Sequence, residues 1–324
     1  MQEPLVSIGM PLYNAERYLE ETLDSILAQT FTDFELIVSD NASTDRTDEI
    51  CRRYAAMDSR IRYSRNPRNM GATYNYNRTF ALAAGAYFRH NAYDDKLAPT
   101  YLERCVAGLD NEPAVVLVYP LVCFIDENGN PHPEGKFRRC RLDLRMPEPH
   151  ERLRAFIDTG GPYSMCDPVF GLFRASALRR TPVLGNYISA DAILLAEIAL
   201  HGHVAEIPEV LFYERFHPNG SVLANPTLDD RNAWFDPNNY GKLSNQLPHW
   251  RWLIELFKAI DRAALSERER NRCFLEMRRW VWATKRGLLN DLIRAGDTIG
   301  RRTTAKLVAA SRRFNGDKPS RGTL

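Results

Sequence analysis

"VSIGMPLYNAERYLEETLDSILAQTFTDFELIVSDNASTDRTDEI", residues 6–50, sets the architecture. Its first apolar run, Leu5–Met10, is short, ends before Pro11 and reads as a buried strand. The spacing then changes. Leu19, Leu23, Ile26 and Leu27 fall on one helical face, and Asn14 is placed to cap a helix from Ala15 to Gln29. Residues 34–40, "FELIVSD", form a second apolar strand, and Asp45 is placed to cap the next helix, through about Met57.

The same alternation continues. Residues 61–64 read as a strand, 71–84 as a helix ended by Gly85, and 86–90 as a strand. A helix opened by Pro99 follows, then a strand over 114–119. Apolar strands alternating with helices predict an α/β, mostly parallel, Rossmann-like sheet with helices on both faces. In such sheets ligands bind beyond the carboxyl ends of the strands. The polar clusters sit at those ends: "PLYN" after the first strand, "SDNASTD" at the second, "HNAYDD" after the fourth. Two adjacent carboxylates, Asp94 and Asp95, at the end of a buried strand suit either a turn cap or a bound cation.

The chain has 324 residues, 44% hydrophobic and 26% charged, an ordinary globular composition. Residues 251–324 hold 18 Lys and Arg against 8 Asp and Glu, a net +10, which leaves −8 for the first 250 in a chain of total charge +2. An acidic body with a basic tail points to a surface partner, anionic lipid before nucleic acid, for which no motif is present. A solvated helical face is the plainer reading. Six scattered cysteines without a CxxC pair argue against a zinc or redox site and for reduced thiols in the cytoplasm. No leader and no membrane span are expected, since the run Ala114–Ile125 is short and broken by Pro120.

Residues 6–50 together with "NMGATYNYN" and "YDDKLAPTYLE" resemble a family-2 glycosyltransferase of GT-A fold, over roughly residues 4–225. The resemblance implies a nucleoside-diphosphate sugar donor, most simply a UDP-sugar, and an acceptor hydroxyl attacked with inversion. It makes Pro11, Tyr13, Asn14, Glu16, Asp40, Asn41, Arg65, Asn69, Gly71, Asn77 and Asp94 nucleotide contacts. It makes Asp95, Asp94 and His217 ligands of Mn²⁺ or Mg²⁺, and Arg215 a diphosphate contact. Asp191, in "SADAILLAEIALHG", becomes the base that takes the acceptor proton. Two positions depart from the family pattern: Tyr93 stands where another acid is usual, and Ala190 where a Glu precedes the base.

Each role has a structural counterpart: a loop cap for Asp40, a core ring for Tyr13, a helix cap for Asp191. Residues 126–150 read as a loop or lid, and 161–174, with Asp167, as lining for the acceptor pocket. A boundary is expected near 225, followed by a Trp- and Arg-rich helical appendage. Trp250, Trp252, Trp280 and Trp282 either sit at a membrane interface, next to a lipid-linked saccharide acceptor, or pack the appendage onto the body or a second subunit, giving a homodimer. Two other function classes remain open: a nucleotidyltransferase making sugar nucleotides, disfavoured because no basic Gly-rich loop follows the first strand, and a non-catalytic binding protein with a decayed site.

Overall fold

The computed structural model describes residues 3–132, 142–159, 167–221 and 223–315. Strands and helices alternate through β1 (Val6–Leu12), α1 (Leu19–Leu27), β2 (Phe34–Asp40), α2 (Thr47–Met57), β3 (Ile61–Arg65), α3 (Ala72–Ala81) and β4 (Tyr87–His90). Then come β5 (Lys96–Leu97), α4 (Tyr101–Asn111), β6 (Val115–Ile125), α5 (Pro149–Asp158), β7 (Leu172–Arg174), α6 (Ala175–Leu178), α7 (Ala190–His201) and β8 (His203–Arg215). Three further helices close the chain: α8 (Leu228–Phe235), α9 (Pro248–Arg262) and α10 (Glu267–Asn315).

The strands form one sheet in the order β3-β2-β1-β4-β7-β6-β8-β5. The expected parallel half, β3-β2-β1-β4, is present, and β6 pairs with β8 in parallel. Between the halves, β7 runs antiparallel to both β4 and β6. Two strands run past the prolines expected to stop them. Pro11 lies inside β1, where β4 has already stopped pairing at Gly9↔His90, so its missing N–H leaves no gap on that side. Pro120 lies inside β6, where a register shift at Pro120/Leu121 absorbs it. Helix α1 begins at Leu19, not Ala15, because Asn14 is drawn into a loop contact described below.

Two apolar clusters cover the sheet. One holds the residues of α1, α2 and α4 against β1 and β2. The other gathers α5 and α7 and continues into the C-terminal helices, where Trp252, Leu256, Met277 and Trp280 share a cluster with Leu194 and Ile198. Burial of each such side chain stabilises by about 1.5–3 kcal/mol. Polar contacts fix the same contact. Arg262 of α9 donates to both oxygens of buried Glu197 on α7, at 2.9 and 2.8 Å. His249 at the start of α9 bonds both oxygens of Asp291 on α10. Of the four tryptophans expected either at a membrane interface or packed onto the body, Trp252 and Trp280 are core residues and Trp250 donates to the Leu288 carbonyl; only Trp282 is exposed.

Candidate active site

The register aligns Leu12 of β1 with Asp40 of β2, and Asp40 with Arg65 of β3, so the polar segments following these strands meet at one edge. Asn14 and Ala42 both take the left-handed backbone conformation, with φ of 51° and 63°, and bend their loops toward each other. The Asn14 side chain accepts from the Thr44 N–H at 2.9 Å, and its own N–H donates to Ser43 Oγ. This contact removes Asn14 from helix capping. Glu16 and Asp45 reinforce the junction reciprocally: Glu16 N–H donates to Asp45, and the Glu16 carboxylate accepts from Arg46 N–H. Asp45 also accepts from Thr47 N–H and so stabilises the start of α2 as expected.

Asp40 is fully buried. One carboxylate oxygen accepts from the N–H and hydroxyl of Ser43, the other from Tyr63, with Arg65 at 3.6 Å. The loop cap is therefore real, and Asp40 is held rigidly beneath the edge. Arg65 also donates to the Ser43 carbonyl. Asn41, likewise buried, donates to Asn69 and the Gly71 carbonyl and accepts from Asn66 and Met70. Gly71 requires glycine twice over: its φ is +87°, and a Cβ would lie 2.5 Å from the Phe235 carbonyl oxygen. Pro11 is buried at the end of β1, whereas Tyr13 just beyond it is exposed. Asn77 sits apart from this group. It exchanges two hydrogen bonds with the Leu184 backbone and pins the loop that leads into α7.

Beyond β4, Asp94 Oδ2 lies 2.9 Å from His217 Nε2, and Asp95 Oδ1 accepts from the Arg215 N–H at 2.9 Å. Both partners follow or end β8, so the sheet brings together residues 120 and 123 positions apart. The buried Arg215 side chain stacks on Tyr18 and donates to the carbonyls of Asp94, Asp126 and Glu127 and to Glu21. It thereby ties α1, the acidic loop and the turn after β6 to one cation. Asp95 is buried, and burial, with Asp94 and Glu214 nearby, pushes its carboxyl well above the usual carboxylate range.

Asp94 and His217 suit two ligands of one divalent cation, a carboxylate and an imidazole side by side. Of the Asp95 carboxylate, Oδ1 is engaged by the Arg215 backbone N–H. Among the described residues, the three-residue group whose ligand atoms all lie within 4.8 Å of one another is a different one, Glu148, His150 and Glu269 at the α5–α10 contact.

Asp191 occupies the first turn of α7, with Ser189 before it in the left-handed conformation at φ 60°. Its Oδ1 accepts from Ala192 N–H at 2.9 Å. Burial pushes the phenol of Tyr76 on α3 above the usual tyrosine range, and the charges of Asp94, Asp95 and Asp191 act in the same direction. The segment leading into α7 lines a small cleft, with Asn186, Tyr187, Asn232, Asn245, Arg251 and Trp252 around it and Arg251 stacked 5.0 Å over Tyr187.

Sequence reasoning did not single out Tyr18, Glu21, Tyr76 or the 186–252 cleft; no local pattern signals side chains that meet only in the fold. Residues 161–166 of the expected acceptor lining, and 133–141 of the expected lid, lie outside the described residues. Asp167 is described and buried.

The family model for glycosyl transferase family 2 matches residues 7–181. A relative named Uncharacterized glycosyltransferase MJ1057, from Methanocaldococcus jannaschii, is 39% identical over 132 residues, 40% of this chain and 46% of its own. The chain spans about half the length of the curated relatives it matches first. Among solved structures, S. aureus TarS 1-349 in complex with UDP superposes with a TM-score of 0.56 at 18% identity, over 85% of this chain and 71% of its own. The mannosyltransferase PcManGT from Pyrobaculum calidifontis, in complex with GDP-Man and Mn²⁺, gives 0.51 at 19% identity, over 98% and 82%. The fold is the GT-A fold, and with more than half its length matched by the family model, this chain belongs to glycosyl transferase family 2.

Proposed function

We propose that this protein transfers a glycosyl group from a nucleoside-diphosphate sugar, a UDP-sugar first, to a saccharide hydroxyl with inversion at the anomeric carbon. The observation that carries the reading is the meeting of the acidic loop after β4 with the end of β8, where Asp94 Oδ2 lies 2.9 Å from His217 Nε2 and Asp95 Oδ1 accepts from the Arg215 N–H. A carboxylate and an imidazole held together at a strand end supply the side of a displacement where the leaving diphosphate is held, and Asp191, in the first turn of α7, supplies the carboxylate base that the other side needs.

In this account the nucleoside lies against Pro11, Tyr13 and Asn14, its base stacked on Tyr13 and bonded toward Asp40 and Asn41, with Glu16, Arg65, Asn69 and Gly71 shaping the loop. Asn77 contributes by fixing the loop before α7. Asp94, Asp95 and His217 would hold a Mn²⁺ or Mg²⁺ ion, which would supply positive charge for the departing diphosphate. Arg215 anchors the Asp94 backbone and adds positive charge from beneath. Asp191 accepts the acceptor's proton as its oxygen attacks the anomeric carbon and the bond to the diphosphate oxygen breaks. The 186–252 cleft at the segment leading into α7 receives the acceptor, and the family domain ends near 225. The complexes of TarS with UDP and of PcManGT with GDP-Man and Mn²⁺ support a nucleotide-sugar donor.

The test is release of nucleoside diphosphate from a panel of UDP-, GDP-, dTDP- and CDP-sugars, with Mn²⁺ and mixed saccharide acceptors. Turnover confined to one nucleotide and raised by one acceptor is expected. Binding of a nucleotide sugar without any turnover would instead favour a non-catalytic binding protein.

A further inference from the structure

Helix α10 carries two opposed faces. Met277, Trp280, Thr284, Leu288, Asp291 and Ala295 recur at intervals of three and four and are buried against the body. The opposite face places Leu275, Trp282 and Leu289 seven residues apart, 58%, 72% and 58% exposed, with Leu292 and Ile293 next to them at 51% and 56%. Nothing in the acidic site explains such a face on a helix whose other side is already satisfied.

Basic side chains flank this stripe. Arg278 and Lys285 lie along one edge, Arg279 and Arg286 along the other, and Arg294 further on, all exposed. Lys285 Nζ sits 3.2 Å over the Trp282 ring. The acidic residues of the same stretch do not offset them: Asp291 is buried with His249, and Glu276 is half-buried beside Arg279, which leaves Asp297 exposed. Charge decides the occupant. A second copy of the helix would bring like charges together on both edges, whereas an anionic bilayer offers apolar chains for the stripe and phosphates for the flanks. Nucleic acid would satisfy the flanks and leave the apolar stripe in water.

We infer that the outward face of α10 docks the protein onto an anionic lipid surface, lying in the interface with Trp282, Leu289 and Ile293 inserted and the flanking Arg and Lys at the phosphates. Among the described residues no helix is long and apolar enough to cross a membrane, so the contact is peripheral. This inference stands apart from the proposed chemistry. It also moves the membrane contact from the tryptophans as a group to Trp282 alone.

The test is co-sedimentation of the full chain with phosphatidylcholine vesicles and with vesicles that also contain phosphatidylglycerol. Binding is expected to the mixed vesicles, to weaken as salt rises, and to fall about ten-fold or more in a Trp282→Ser/Leu289→Ser variant. The charge variant Lys285→Glu/Arg286→Glu should lose binding while melting as the parent does. No binding to mixed vesicles, or equal binding by the serine variant, would overturn the inference. So would a parent dimer that the serine variant converts to monomer, which would assign the face to a second copy.

Discussion

Asp94 Oδ2 and His217 Nε2 lie 2.9 Å apart, although 123 residues separate them in the chain. His217 reaches this position because β8 ends beside the acidic loop, where Arg215 N–H bonds Asp95 and the Arg215 side chain holds the Asp94 carbonyl. The pair is a point at which the sheet's two halves meet. Replacing His217 by Ala should leave nucleotide binding measurable but raise the Mn²⁺ concentration for half-maximal activity by about 10–100-fold, the size of loss typical when support for a metal site is removed. Unchanged cation dependence would take His217 out of the site.

Asp191→Asn retains an acceptor for the Ala192 N–H, so α7 should form normally. Without a base, kcat should fall by roughly 10²–10⁴-fold while KM for the donor changes little. A matching loss in donor affinity would make Asp191 a binding residue instead.

The Arg262–Glu197 pair ties α9 to the helix that carries Asp191. Arg262→Met leaves the Glu197 carboxylate buried and unpaired, and denaturant unfolding should report a loss of about 3 kcal/mol. Adding Glu197→Met should recover most of it, because the cost lies in the stranded charge.

Acid should destabilise the fold through two histidines. Burial, with Arg89 adjacent, lowers His90 to about 3, and burial, with Arg180, Arg152 and Arg262 nearby, lowers His201 to about 4. Both are neutral when folded and take a proton near pH 6.5 when unfolded. Their contribution is complete above that pH and is lost as pH falls toward their folded values. Between about pH 6 and 4.5 each should add roughly 1.4 kcal/mol per pH unit to the slope of stability. Urea midpoints across this range for the parent and for His201→Leu check the prediction; the variant should show the shallower slope.

The parallel half of the sheet was readable because β1 and β2 are largely apolar, fully buried runs and the helices between the strands keep a separate period. The antiparallel β7, three residues long, has no such signature; its place depends on neighbours at Phe88 and Leu117. Pro11 and Pro120 misled for the same reason: whether a proline ends a strand depends on which neighbour needs its N–H, and pairing is not local. The acidic loop was legible as two adjacent carboxylates at a strand end, and the structure places it where expected. Arg215 was noticed too, but its bond to Glu21 joins residues 194 positions apart, and only the fold shows how its donors are used. The tryptophans of α9 and α10 read alike in sequence, and burial separates Trp282 from the other three.

The most direct test of the proposed site is a thermal-shift panel of UDP, GDP, dTDP and CDP, each with and without Mn²⁺, on the parent and on Asp94→Asn. Stabilisation by one nucleotide, largest with Mn²⁺ and reduced to the cation-free value in Asp94→Asn, is the predicted result. Stabilisation by none of the four, with or without the cation, would contradict the account.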